Sequence, residues 1–215
     1  MIIVNTKNYK TSSELLKLAK LIETHDLHIL IAVPATDIYP ISAKTTLNVY
    51  AQHTDYVKDE KTTGHTSAQS ARASGASGTL LNHSEHKLTL DVLKKTIEQC
   101  NKAHLVTVVC ASTLAEAKSI LQFKPSLIAF EDPALISTGK SITSSKKHDI
   151  IKFVSLLKNK PTIPICGAGI SSIEDVKQAY ALGCKGCLIS SAIANAPEHK
   201  VASFLSDIHD FFREK

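Results

Sequence analysis

The chain has 215 residues, 43% of them hydrophobic and 21% charged, with 25 basic against 20 acidic side chains for a net charge of +5. That length buries one large core and demands no second unit, so one domain over residues 1–215 is expected. Aromatics are scarce at 5% and the two signs of charge are interspersed, which argues against a nucleic-acid binder with a basic stripe laced with aromatic rings. No apolar run approaches the roughly 20 residues of a membrane span, and Asn5 and Lys7 break the first run too early for a signal peptide. A cytoplasmic protein with neither nucleic-acid nor membrane partners is expected.

Short apolar runs recur along the chain at Ile2–Val4, Ile29–Val33, Leu47–Ala51, Thr79–Leu81, Leu105–Cys110, Leu127–Phe130, Ile163–Cys166 and Gly186–Ile189, eight candidate strands in all. Helical periodicity fills most intervals, at Ser12–Thr24, Leu90–Lys102, Leu114–Phe123, Ile150–Lys158 and Ile173–Leu182, and follows the last strand at Pro197–Phe212. Weaker helical patterns lie at Asp37–Lys44 and Ala68–Ser74. Thr11-x-x-Glu14 and Ser171-x-x-Glu174 have capping-box spacing, and Gly183 after Leu182 reads as a helix stop. Strand and helix in strict alternation imply parallel strands joined by right-handed crossovers, and eight such units imply a closed (β/α)8 barrel of compact form. The competing open, doubly wound sheet lacks its Gly-x-Gly-x-x-Gly turn after the first strand.

Five cysteines leave an odd thiol, and Cys110, Cys166 and Cys187 fall within apolar strand patterns where a reduced thiol packs as a small hydrophobe. Cys184-x-x-Cys187 lacks the second pair of a zinc site and sits at a helix-to-strand turn instead of opening a helix. Structural thiols and no metal are expected.

In a barrel, residues at the C-terminal ends of strands face the active site. Asn5 and Lys7 follow the first strand, His83 follows the fourth within Leu80-Leu81-Asn82-His83-Ser84-Glu85, and Glu131 ends the sixth, ahead of a loop bounded by Pro133 and Gly139. Each has a plain alternative: a lysine whose stem snorkels to solvent, a structural histidine, a solvated carboxylate before a Pro turn. Gly167-Ala168-Gly169-Ile170-Ser171 and Ser190-Ser191-Ala192 follow strands seven and eight. There, small side chains let an anion reach backbone N–H groups, at the common phosphate site of barrels. Together these residues put a cation, an imidazole, a carboxylate and a phosphate cradle at one face. His53, His65 and His83 near strand exits leave a metal enzyme as an alternative, though without a ligand spacing such as His-Glu-x-x-His. Another phosphate-binding barrel, or a non-catalytic phosphate sensor, fits the same loops.

In chain order, Asn5-x-Lys7, LLNHSE at Leu80–Glu85, FEDPALISTG at Phe130–Gly139, CGAGIS at Cys166–Ser171 and GCLISSA at Gly186–Ala192 resemble the triosephosphate isomerase family over essentially the whole chain. The short length, with Ala51-Gln52-His53 and Gly64-His65, is similar to the archaeal branch, which implies a homotetramer, with a dimer as the alternative. The resemblance implies cofactor-free interconversion of dihydroxyacetone phosphate and glyceraldehyde 3-phosphate. It assigns Glu131 as the carbon base, His83 as a neutral electrophile and Lys7 as the charge that offsets phosphate and enediolate. Asn5 joins them as a donor, Gly169, Ser190 and Ser191 grip phosphate, and Ile136 and Gly139 offer backbone contacts from a lid over Asp132–Lys140. Glu85 supports the site. The neutral histidine and water exclusion by the lid are known features of the family and not readings of these residues. Asp132 stands where archaeal relatives tend to have proline, Ser137 and Ala192 replace glycines, and Lys140 adds a charge; these bear on lid timing and phosphate affinity.

Overall fold

A computed structural model describes residues 1–25, 29–59, 61–135 and 141–214. Its elements, in order, are β1 (Ile2–Asn5), α1 (Ser12–Glu23), β2 (Ile29–Val33), α2 (Ile38–Ser42), β3 (Asn48–Ala51), α3 (Ala68–Ala73), β4 (Gly78–Leu81), α4 (Leu90–Lys102), β5 (Val106–Ala111) and α5 (Leu114–Leu121). These are followed by β6 (Leu127–Phe130), α6 (Ile142–Ser145), α7 (Lys147–Leu157), β7 (Ile163–Gly167), α8 (Ile173–Ala181), β8 (Cys187–Ile189), α9 (Ser191–Ala194) and α10 (Glu198–Arg213). Single 3-10 turns at Ala35–Asp37 and Pro133–Leu135 complete the set. The strands pair in parallel in the order β1 to β8, and β8 closes on β1 with Ile3 beside Leu188.

The period of two along each strand sorts side chains into two cores. Ile3, Ala32, Tyr50, Leu80, Val108, Cys110, Leu127, Ala129, Ile165 and Leu188 fill the barrel interior. Their strand neighbours, such as Ile2, Val4, Ile128 and Ile189, pack outward against the helices. Tyr50 spans the interior where β4 offers Gly78: a Cβ there would lie 2.5 Å from the Tyr50 ring and 2.6 Å from the Val106 carbonyl. Burial pushes the Tyr50 phenol up to about 12. All five cysteines are buried free thiols.

Several boundaries differ from the sequence reading. Thr11 makes no side-chain cap; its carbonyl alone receives the Glu14 and Leu15 N–H groups. The capping box of α8 is shifted by one, with Ser172 and Asp175 bonding reciprocally, because Asp175 also takes the Ser171 N–H at 2.9 Å. Thr89 and Thr113 cap α4 and α5 through Val92 and Glu116 N–H groups. The segment before β7 starts its helices at Ile142 and Lys147, upstream of Ile150. Gly183, at φ 99°, follows Leu182 and ends the α8 segment, a left-handed position that glycine adopts without a Cβ penalty.

Candidate active site

Alternation along three strands carries polar side chains into the barrel mouth. Ile3 points inward, so Asn5 does too; Leu127 and Ala129 point inward, so Glu131, the next residue after β6, does as well; Leu188 is followed by Ser190. Asn5, Lys7, His83, Glu131, Gly169, Ser190 and Ser191 line one pocket together with Ala168, Ile170, Ser171 and Leu188. Lys7 reaches it by another route than alternation. Its φ of 45° lies in the left-handed region, and the turn is held by its own N–H donating to Asn5 Oδ1 at 3.0 Å and its carbonyl accepting from Gln52 Nε2 at 2.9 Å. The Lys7 ammonium donates to Glu85 Oε1 at 2.6 Å. An otherwise costly half-buried cation is thereby paired.

Glu131 is 1% exposed, a carboxylate that needs partners in so dry a place. It accepts the Ser84 N–H on Oε1 at 2.8 Å, and His83 Nε2 stands 3.5 Å from Oε2. The Glu85 N–H points at His83 Nδ1 across 3.2 Å. An Nδ1 that accepts leaves the ring proton of a neutral imidazole on Nε2, the atom that faces the pocket. Glu85 Oε2, 3.6 Å from Nδ1, is too far to compete for that nitrogen as a hydrogen-bond partner. Beneath the carboxylate, burial and the Glu131 charge push the Cys110 thiol well above its usual range, so it is an inert packing group.

Opposite these groups, the loop after β7 runs through two left-handed residues, Ala168 at φ 78° and Gly169 at φ 69°. The Ala168 carbonyl accepts the Ile142 N–H at 3.1 Å, which ties this loop to the chain that follows Lys140. The Ser190 hydroxyl is buried without a partner among the described residues, and Ser191 opens α9, whose first N–H groups have no partner within the helix. Small residues, spare donors and a lysine across the pocket suit an anion of phosphate size.

Ile136 and Gly139, expected as backbone contacts, lie outside the described residues, as do Ser137 and Lys140. Asp132, just ahead of them, accepts the Ala134 N–H at 2.9 Å and lies 3.5 Å from Lys146 Nζ. His53 and His65 do not join His83: His53 stacks on His86 with centroids 3.9 Å apart, and exposed His65 bonds the Thr63 carbonyl. Two contributors escape sequence reading. Ser84 acts through its backbone N–H, which no residue type reveals, and Gln52, the first residue after β3, supports Lys7 from 45 positions away in sequence.

The sequence model of the family described as "Triosephosphate isomerase" matches residues 1–208. A triosephosphate isomerase of Methanocaldococcus jannaschii is 34% identical over 204 residues, covering 91% of this chain and 93% of its own. One of Metallosphaera sedula is 36% identical over 205 residues, with 92% and 90% covered. A crystal structure of triosephosphate isomerase from Bartonella henselae superposes with a TM-score of 0.76 at 18% identity, covering 99% of this chain and 98% of that one; at that identity the likeness speaks for the barrel fold.

Proposed function

Because the chain belongs to the triosephosphate isomerase family, we propose that it interconverts dihydroxyacetone phosphate and D-glyceraldehyde 3-phosphate through an enediolate, as an enzyme of glycolysis and gluconeogenesis. The observation that carries this reading is the meeting of Glu131 with His83 Nε2, 3.5 Å apart, in a pocket shared with Lys7 and two anion-suited loops. A proton beside a carbonyl is weakly acidic, so its removal needs both a base and donors aimed at the oxygen that gains charge. Glu131 is the base and returns the proton to the neighbouring carbon. His83 Nε2–H and Asn5 are donors to the two enediolate oxygens, and the Lys7 ammonium offsets their charge and that of the phosphate. Gly169, Ser190 and Ser191 grip the phosphate, as Ile136 and Gly139 do from the lid. Glu85 keeps the Lys7 ammonium in place and its backbone N–H sets the His83 tautomer. The chemistry proposed requires no cofactor or metal.

Further parts of the reading concern the setting. The chain works as one barrel unit in the cytoplasm; no helix among the described residues is long and apolar enough to cross a membrane. It assembles as a homotetramer, with a dimer as the alternative, a reading supported by resemblance to the archaeal branch. Sedimentation velocity distinguishes the two. The function is tested by incubating purified protein with either triose phosphate: interconversion is expected, and its failure in protein with Lys7, His83 and Glu131 intact overturns the assignment.

A further inference from the structure

The segment Asn82–Leu88 carries His83, Ser84 and Glu85, and both of its ends are held by one side chain. Asn82, 2% exposed and at φ 58°, accepts the Leu88 N–H on Oδ1 at 3.0 Å and so closes the segment into a ring. Its Nδ2 donates to the Cys110 carbonyl at 2.9 Å and to Glu116 Oε1 at 2.8 Å. Two acceptors on one side and a donor on the other leave no freedom to turn the amide over. Glu116 in turn is held by the loop that leads into α5: its Oε2 accepts the Ser112 N–H at 2.7 Å, and its own N–H is capped by Thr113. Lys87, also within the ring, donates to Glu116 Oε1 at 2.8 Å. Burial raises the Glu116 pKa, but Lys87, the Ser112 N–H and Asn82 together outweigh it and hold the carboxyl below its usual range. The group therefore stays an acceptor for all three donors.

From this geometry we infer that Glu116, which lines no part of the pocket, is a positioning residue for the isomerase reaction, locking the His83–Ser84–Glu85 turn to the β5 loop through Asn82. The turn supplies the Ser84 N–H that Glu131 accepts at 2.8 Å and sets His83 Nε2 3.5 Å from the same carboxylate. A shift of the ring moves the electrophile and the base's anchor together, and a displacement of about 1 Å at such groups costs on the order of 10²-fold in rate. The phosphate loops after β7 and β8 lie across the pocket and have no bond to this network among the described residues. The effect of Glu116 is accordingly chiefly on kcat, and KM is touched only through Glu85 and its bond to Lys7.

The inference rests on the proposed function, and the experiment separates the two. Wild type, Glu116→Ala, Glu116→Gln, Lys87→Met, Asn82→Gly and the Asn82→Gly/Glu116→Ala pair are assayed, with active sites counted by titration with a tight-binding substrate analogue. Glu116→Ala is expected to lower kcat about tenfold or more with KM within about threefold of wild type. Glu116→Gln, which keeps one acceptor but sets an NH2 against the Ser112 N–H or Asn82, should fall between the two. Lys87→Met, which spares the Asn82 bond, should lose less than about threefold. The double variant should be no slower than the slower single variant, as for residues acting through one bond. Nitrogen-15 spectra of His83 should show one Nε2–H tautomer in wild type and a mixture in Glu116→Ala. Unchanged kcat in both Glu116 variants, or multiplicative losses in the pair, overturns the inference while wild-type turnover stands. If Glu116→Ala does not fold, Glu116→Gln decides it: a lower kcat at wild-type KM supports the inference, and wild-type kcat overturns it. Absence of turnover in wild type overturns the proposed function itself.

Discussion

The Ser84 backbone N–H donates to Glu131 at 2.8 Å, so the carboxylate proposed as the base is held by the residue that follows His83. One turn after β4 thus sets the position of two groups from different strands. Replacing Glu131 with glutamine keeps the shape and an acceptor for Ser84 but removes the base. Glu131→Gln is expected to lower kcat by about 10²- to 10⁴-fold. Binding of a substrate analogue, measured by calorimetry, should change little. The unfolding midpoint should not fall, because a buried charge has been exchanged for a neutral amide. Retained turnover contradicts the proposed mechanism.

Lys7 and Glu85 form a pair in which only one partner faces the pocket: the lysine side chain is 14% exposed and the glutamate 57%. Lys7→Met keeps the stem and loses the ammonium, and kcat/KM should drop by at least about 10²-fold, as when a preorganised charge-stabilising donor is removed. Glu85→Gln leaves the ammonium in place with an amide oxygen to accept from it and should cost no more than about tenfold, in keeping with a pair whose glutamate is largely exposed. Steady-state kinetics on both variants checks the order; a larger loss for Glu85→Gln reverses the roles.

His53 stacks on His86 and lies 3.2 Å from Asp55. Burial foremost, and then His86, depress its pKa below 6.5, with Asp55 opposing. The unfolded chain therefore binds a proton here before the folded one does, and folding stability must fall as pH drops below about 6.5 until the folded-state pKa is passed. His53→Gln should flatten that part of the stability profile. Denaturant unfolding between pH 8 and pH 5.5 measures it, and an unchanged acid slope in the variant contradicts the assignment.

Gly78 is required by the ring of Tyr50, its register partner on the neighbouring strand β3. Gly78→Ala sets a methyl 2.5 Å from Tyr50 and 2.6 Å from the Val106 carbonyl, and the strand cannot retreat without breaking its pairing to β5. A loss of about 1–3 kcal/mol is expected by chemical denaturation, as for overpacked cores. Gly78→Ala combined with Tyr50→Phe should recover little, since the ring itself is the obstacle.

Repetition makes the barrel readable in the sequence. Eight apolar runs separated by helical periods leave few ways to bury both faces of every strand, and closure into a parallel barrel is the solution such patterns favour. The same period of two sends Asn5, Glu131 and Ser190 inward, because Ile3, Ala129 and Leu188 must fill the interior. These placements follow from local rules, as does membership of the family from motifs in order along the chain. Lys7 is different: it enters the pocket through a left-handed turn held by Gln52, a contact between segments that sequence spacing does not encode. So are the Ser84 N–H on Glu131 and the Asn82–Glu116 lock, since a backbone donor has no residue signature and a bond between two loops exists only once the strands beneath them lie side by side. Side-chain direction within a strand is set by the nearest neighbours, whereas the aim of a loop is set by whatever the closed barrel brings against it.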